Sequence, residues 1–298
     1  MFLATSSHTP PCNTFDSFSR LCARADVIDD YNEPLEETIQ KALSRFATID
    51  SRRWITFILN VLPTIGQIDV SSFSALEKRM MQMFYISIWQ EKAVENWEDE
   101  EVKNNLKALS ACPVMMSELT SLLQYNFDRI DFIDSSVDVG FACPLDLHCT
   151  YTRDQLLVAL DFMKPSTVRE GVKWLPDKNL DIFFVTLNKS DKDYSPTTMY
   201  NDYSINSELF HWQSQSTTAE NSPTGQRYIN HRVKGSRVLL FVREFKSDRV
   251  SGSAAAYTYL GTANYVKHEG SRPMNITWKL DYPIPAKYLK KTNKLVVG

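Results

Sequence analysis

The 298-residue chain contains no run of about 18 apolar residues, the least a membrane-crossing helix needs. Its start, MFLATSSHTPPCN, lacks a basic segment followed by an apolar block, so no secretory signal is expected. The five cysteines (Cys12, Cys22, Cys112, Cys143 and Cys149) are odd in number and form no CxxC pair. A reduced, cytoplasmic protein is the expectation. Phosphate-cradling GxxxxGK[ST], HExxH, zinc-ribbon and GxSxG patterns are all missing, which removes the sequence signals of an ATPase, a zinc protease and an α/β-hydrolase. His148 and Cys149 beside Cys143 offer three soft ligands with no clear fourth, short of a zinc site. No cofactor is expected.

What is present is uneven. Residues 1–150 hold 12 Lys and Arg against 22 Asp and Glu, a balance of −10. Residues 151–298 hold 21 against 14, a balance of +7. A polyanion would go to the second half, although the two halves could equally attract each other. Residues 1–30 are polar and mixed, and read as a tail. Residues 31–130 read as a helical domain. Leu35, Ile39, Leu43 and Phe46 recur at helical spacing behind Pro34, and Trp54–Leu62 is apolar nearly all round. Ser74 with Glu77 forms a capping box, and Pro113 opens a further helix. The acidic run ENWEDEE (95–101) fits a solvated loop or helix start.

Residues 131–298 read differently. After one more capped helix at Thr152–Gln155 the text is rich in β-branched and aromatic residues, at 181–187, 237–244, 256–266 and 275–280. SPTG, VKGS and HEGSRP separate these stretches as turns. Strands without intervening helices predict a mostly antiparallel, barrel-like sheet. The expected class is therefore α+β, an N-terminal helical domain followed by a β-rich one.

The stretch LFHWQSQST (209–217) reads as a strand. Alternation puts Phe210, Trp212, Ser214 and Ser216 on one face, and His211, Gln213, Gln215 and Thr217 on the other. Primary amides can pair with base edges and planar rings can stack on bases. Tyr200, Tyr203, Trp212 and Tyr228 are candidate stacking platforms, and Lys189, Arg227 and Arg272 candidate phosphate partners. An ordinary half-exposed strand would look the same. A nuclease alternative rests on Glu244 and Lys246, which share one face at a strand exit, with Asp181 as a second carboxylate around Mg²⁺.

The order of motifs PLDLHCTYTRDQLLVAL, REGV, FVTLNKSDKDYSPTTMYNDYSI, LFHWQSQST, GQRYINH, VLLFVREFK and YLGTANYVKHEGSRPMNITWKL resembles a known family. It is similar to the C-terminal domain of unknown function of bacterial superfamily 2 helicases, which often carry an N-terminal phospholipase-D-type nuclease and are associated with restriction and phage defence. YLGTANYV is more loosely similar to a strand of SRA/PUA-like readers of modified DNA, a fold-level analogy. The resemblance implies a module serving a DNA-acting machine, either a DNA reader or an adaptor that docks a separate helicase or nuclease. No motif of the helicase or nuclease parts occurs in this sequence.

Overall fold

The structure is a computed structural model that describes residues 16–90, 92–188, 202–248 and 253–292. Six helices come first: α1 (Phe18–Arg24), α2 (Glu36–Phe46), α3 (Arg52–Val61), α4 (Ala75–Trp89), α5 (Glu100–Leu109) and α6 (Pro113–Asp128). Local signals start them. Ser74 and Glu77 cap α4 reciprocally, Asp99 caps α5 and Pro113 occupies the first turn of α6. Each side-chain cap contributes about 1 kcal/mol by satisfying an otherwise orphaned N–H. Where the sequence reads as tail, α1 is instead held in place. Glu118 of α6 accepts the backbone N–H groups of Phe18 and Ser19 at 2.8 and 2.9 Å, and Arg20 pairs with Glu36.

The rest of the chain builds one sheet from β1 (Thr150–Tyr151), β2 (Val172–Leu175), β3 (Leu180–Thr186), β4 (Tyr203–Ser204), β5 (Leu209–Gln213), β6 (Arg237–Arg243), β7 (Tyr257–Glu269) and β8 (Asn275–Leu280). Three helices accompany it: α7 (Arg153–Ala159), α8 (Pro223–Ile229) and α9 (Ala286–Thr292). The strand order is β2-β3-β6-β7-β8-β5-β4, with β1 on β7. The α+β class holds. The sheet is mixed, because β3 and β6 run parallel, and it is open: among the described residues no ladder joins β2 to β4. SPTG, expected as a turn, is the start of α8, with Ser222 as its cap and Pro223 in its first turn.

The two faces of the sheet have different cover. Leu180, Ile182 and Phe184 of β3, Leu239 and Phe241 of β6, and Tyr257 and Tyr259 of β7 join one apolar cluster with the helices. That cluster runs unbroken from Ile39 of α2 to Tyr259, across residues 31–130 and the sheet alike. α7 locks the layers together. Gln155 is fully buried, and its amide donates to the Arg45 carbonyl at 3.2 Å and to Ser87 Oγ at 2.9 Å while its oxygen accepts the Thr152 N–H.

The opposite face wraps around a second cluster that includes Phe183, Phe210, Trp212, Tyr228, Leu240 and Trp278. Two irregularities in β7 bend it. At the first, Leu260 and Gly261 both face Leu240, and Gly261 has φ +87°. A Cβ there would come within 2.9 Å of Tyr282 and 3.0 Å of Leu147, so YLGTANYV needs glycine at that point.

Candidate functional site

The helices cover β3, β6 and the first half of β7, and among the described residues none of α1–α7 covers the same side of the sheet at β8, β5 and β4. Residues directly opposite each other in a ladder share a face. Tyr203 faces His211, His211 faces Thr277, and Thr277 faces Lys267, one line across four strands. A second line runs Gln213, Asn275 and Glu269, and a third Leu209, Lys279 and Asn264. The Tyr203 and His211 rings lie 4.8 Å apart and 13° from parallel. Gln213 donates to Asn275 Oδ1 at 3.1 Å, which joins two amides on the surface. Lys267 approaches Glu269 at 3.4 Å and Lys279 approaches Glu208 at 4.0 Å.

The remaining candidates disperse. Trp212 and Tyr228 are 4% and 1% exposed and belong to the second core, so neither offers a ring to a base. Arg227 is committed to Asp181 through two bonds of 2.8 and 2.9 Å, with its guanidinium 4.3 Å over the Trp174 ring. Gln215 lies past the end of β5, where its amide donates to Glu170 at 2.6 Å. Arg272 is exposed in the turn before β8. Lys189 and Tyr200 lie outside the described residues.

The nuclease triad is not assembled. Asp181 faces Val238 in the parallel ladder, six residues before Glu244, a separation of about 20 Å at strand rise. Asp181 is also spent on Arg227. No group of three metal-ligating side chains exists among the described residues. Cys143 and Cys149 are buried apolar residues: burial pushes the Cys143 thiol up to about 11 and the Cys149 thiol higher still. His231, in the GQRYINH motif, serves the fold. Its Nδ1–H donates to the carbonyl of Ser236, the residue before β6, at 3.2 Å, and Nε2 accepts the N–H of Tyr265 in β7 at 3.0 Å. Burial lowers its pKa, consistent with that neutral tautomer.

Sequence reasoning missed a cleft of ≈ 1170 Å³ between the helical layer and the carboxyl ends of β3 and β6. Arg45, Arg153 and Arg243 line it, together with Glu244 and Lys246. Its walls come from α2, α4, β1, α7, β6, β7 and α9, and no local motif announces such a convergence.

Residues 145–291 match the family model described as domain of unknown function DUF3427. The match covers all eight strands together with α7, α8 and all of α9 but Thr292, and leaves out α1–α6. Both this face of the sheet and most of the cleft therefore lie in the matched segment, whereas Arg45 of the cleft comes from the helical layer. No curated protein matches the chain. Among the described residues no helix is long and apolar enough to cross a membrane.

Proposed function

We propose that this protein is a cytoplasmic nucleic-acid-binding module, an accessory to a helicase–nuclease type machine, that lays DNA across the bare face of β4, β5 and β8. The observation that carries the reading is the line Tyr203, His211, Thr277 and Lys267 beside the Gln213–Asn275 pair. The half-exposed ring pair can extend a base stack, and the amides present donors and acceptors to base edges. Lys267 and Lys279 pair with glutamates only at the solvent-exposed surface, where such pairs are worth about 0–1 kcal/mol, so phosphates can displace them. None of these side chains is needed to fill a core.

Fluorescence anisotropy with labelled single-stranded and duplex DNA, plain and base-modified, tests the reading. Affinity is expected to fall steeply with salt, as counterion release requires, and to be indifferent to Mg²⁺. Replacing His211 and Gln213 together by Ala should weaken binding about 10-fold or more, since stacking and amide contacts are worth ~1–3 kcal/mol each, while the melting temperature falls by only about a few degrees. Unchanged binding in that variant removes the face from the function. A second reading, an adaptor docking a separate enzyme, draws on the −10 balance of residues 1–150. Pull-down from the native host separates the two: an adaptor retains an enzyme after nuclease treatment of the lysate.

A further inference from the structure

Six of the fourteen described arginines face carboxylates. Arg20, Arg24, Arg52, Arg53, Arg79 and Arg227 each have one within 4.0 Å. Arg45, Arg153 and Arg243 are half-buried, converge on the ≈ 1170 Å³ cleft, and have no such partner among the described residues. Neutral groups fix them instead. Arg45 Nη1 donates to the Ser87 carbonyl at 2.7 Å, and Arg153 Nη2 donates to the Glu170 carbonyl with the guanidinium 5.0 Å over the Phe184 ring. Arg243 donates to Thr186 Oγ1 at 2.9 Å and to the Ala255 carbonyl at 3.2 Å, above the Tyr257 ring. These contacts set orientation and supply no charge, and the Asp154 carboxylate attracts Arg45 and Arg153 only from beyond 4.0 Å. The Arg153 Nε is buried with no acceptor.

A half-buried guanidinium without a counter-ion is an unfavourable arrangement unless something else supplies the negative charge. Guanidiniums match phosphate oxygens in geometry, and their planar forks bind them through paired hydrogen bonds. The cleft exceeds the roughly 300–1,000 Å³ typical of small-ligand pockets, so it holds far more than one carboxylate. Its apolar wall includes Leu187, Phe245 and Tyr288, which suits an organic body attached to the anion. We infer that this cleft binds a phosphate-bearing ligand of about nucleotide size through Arg45, Arg153 and Arg243. None of the bare-face residues Tyr203, His211, Gln213, Asn275 or Thr277 lines the cleft, so this site is separate from the proposed DNA-binding face.

Asp154 supplies an internal control. It lines the same cleft, is half-buried, and has no ion pair within 4.0 Å among the described residues. A bound anion must tolerate its charge, so its removal should favour binding.

Calorimetric titration of the full chain with pyrophosphate, ATP and a short single-stranded oligonucleotide tests the site. Pyrophosphate and ATP should bind, and Arg153→Gln should weaken both about 10-fold or more, the loss of one charge-assisted fork. Arg153→Lys should lose less, and Asp154→Asn should tighten binding about 2- to 5-fold, an effect that a misfolded cleft cannot produce. The His211→Ala, Gln213→Ala protein should bind pyrophosphate as the parent does, which keeps failure of the DNA-binding face distinct from failure here. Binding of the oligonucleotide alone, lost in Arg153→Gln, identifies the source of phosphate as a nucleic-acid backbone and supports the site. The inference is overturned if none of the three probes binds, or if Arg153→Gln and Asp154→Asn both leave affinity unchanged.

Discussion

Phe183 of β3 and Trp212 of β5 stack with centroids 4.1 Å apart and planes 10° from parallel, although four ladder steps separate their strands. In a flat sheet that separation would be about 19 Å. The sheet therefore curls until its two halves touch through side chains, and among the described residues no ladder joins its edges. Trp212→Ala should cost about 3–5 kcal/mol in urea unfolding, the range for removing a buried aromatic ring. His211→Ala, one residue along on the bare face, should cost less than about 1 kcal/mol. Equal losses at both positions would contradict the assignment of faces.

Much of this was legible in the sequence because it is local. The capping boxes at Ser74 and Thr152, Pro113, and the alternation through Phe210, His211 and Trp212 each depend on neighbours within four residues. The misreadings share a cause: distant partners decide the outcome. α1 is stable because Glu118, about a hundred residues away, accepts its first N–H groups. Arg227 and Asp181 look like separate surface candidates until α8 brings them together. β3 pairs in parallel with β6 because β4, β5 and α8 intervene, and strand composition does not encode that detour. The cleft is the extreme case, since seven elements contribute and no one of them announces it.

The Asp181–Arg227 pair should behave as a buried structural ion pair. Its bidentate geometry is favourable, yet both groups have given up water. Arg227→Met alone leaves a buried carboxylate without its partner and should destabilise the protein by about 3–5 kcal/mol, whereas Asp181→Leu combined with Arg227→Met should recover most of that loss. A thermodynamic cycle of the two singles and the double measures this. Additive losses would mean that the two side chains do not depend on each other.

Thiol reactivity offers a direct check on the cysteines. Cys112, Cys143 and Cys149 are buried and their thiols are pushed up, so thiolate is scarce and access poor. Cys22, on α1, is partly exposed. In the native protein, iodoacetamide should label Cys22 well before these three, read peptide by peptide in mass spectra. Rapid labelling of Cys149 would show that the packing between Asp50 and β1 opens readily.

Asp50 and His148 titrate abnormally in opposite senses at the same junction. Burial raises the Asp50 carboxyl from 3.8 to about 6, against hydrogen bonds from Thr150, and burial lowers His148 from 6.5 to about 4, assisted by Lys287. The folded state holds a proton on Asp50 more tightly than the unfolded state does, so the contribution of Asp50 to stability declines as pH rises from about 3.8 to 6. His148 works the other way: the unfolded chain binds its proton more tightly, so the contribution of His148 falls as pH drops from 6.5 to about 4. The two slopes offset each other through the shared window. Asp50→Asn removes the first and leaves the second. At pH 7 the variant should be more stable than the parent by roughly 1–3 kcal/mol, the order of a two-unit shift reduced by imperfect amide bonding to Thr150. That advantage should shrink steadily below pH 6 and be small near pH 4, so the variant loses stability on acidification more steeply than the parent. Urea unfolding of both proteins from pH 4 to pH 7.5 measures the difference, and a pH-independent gap would place the Asp50 carboxyl at its ordinary value.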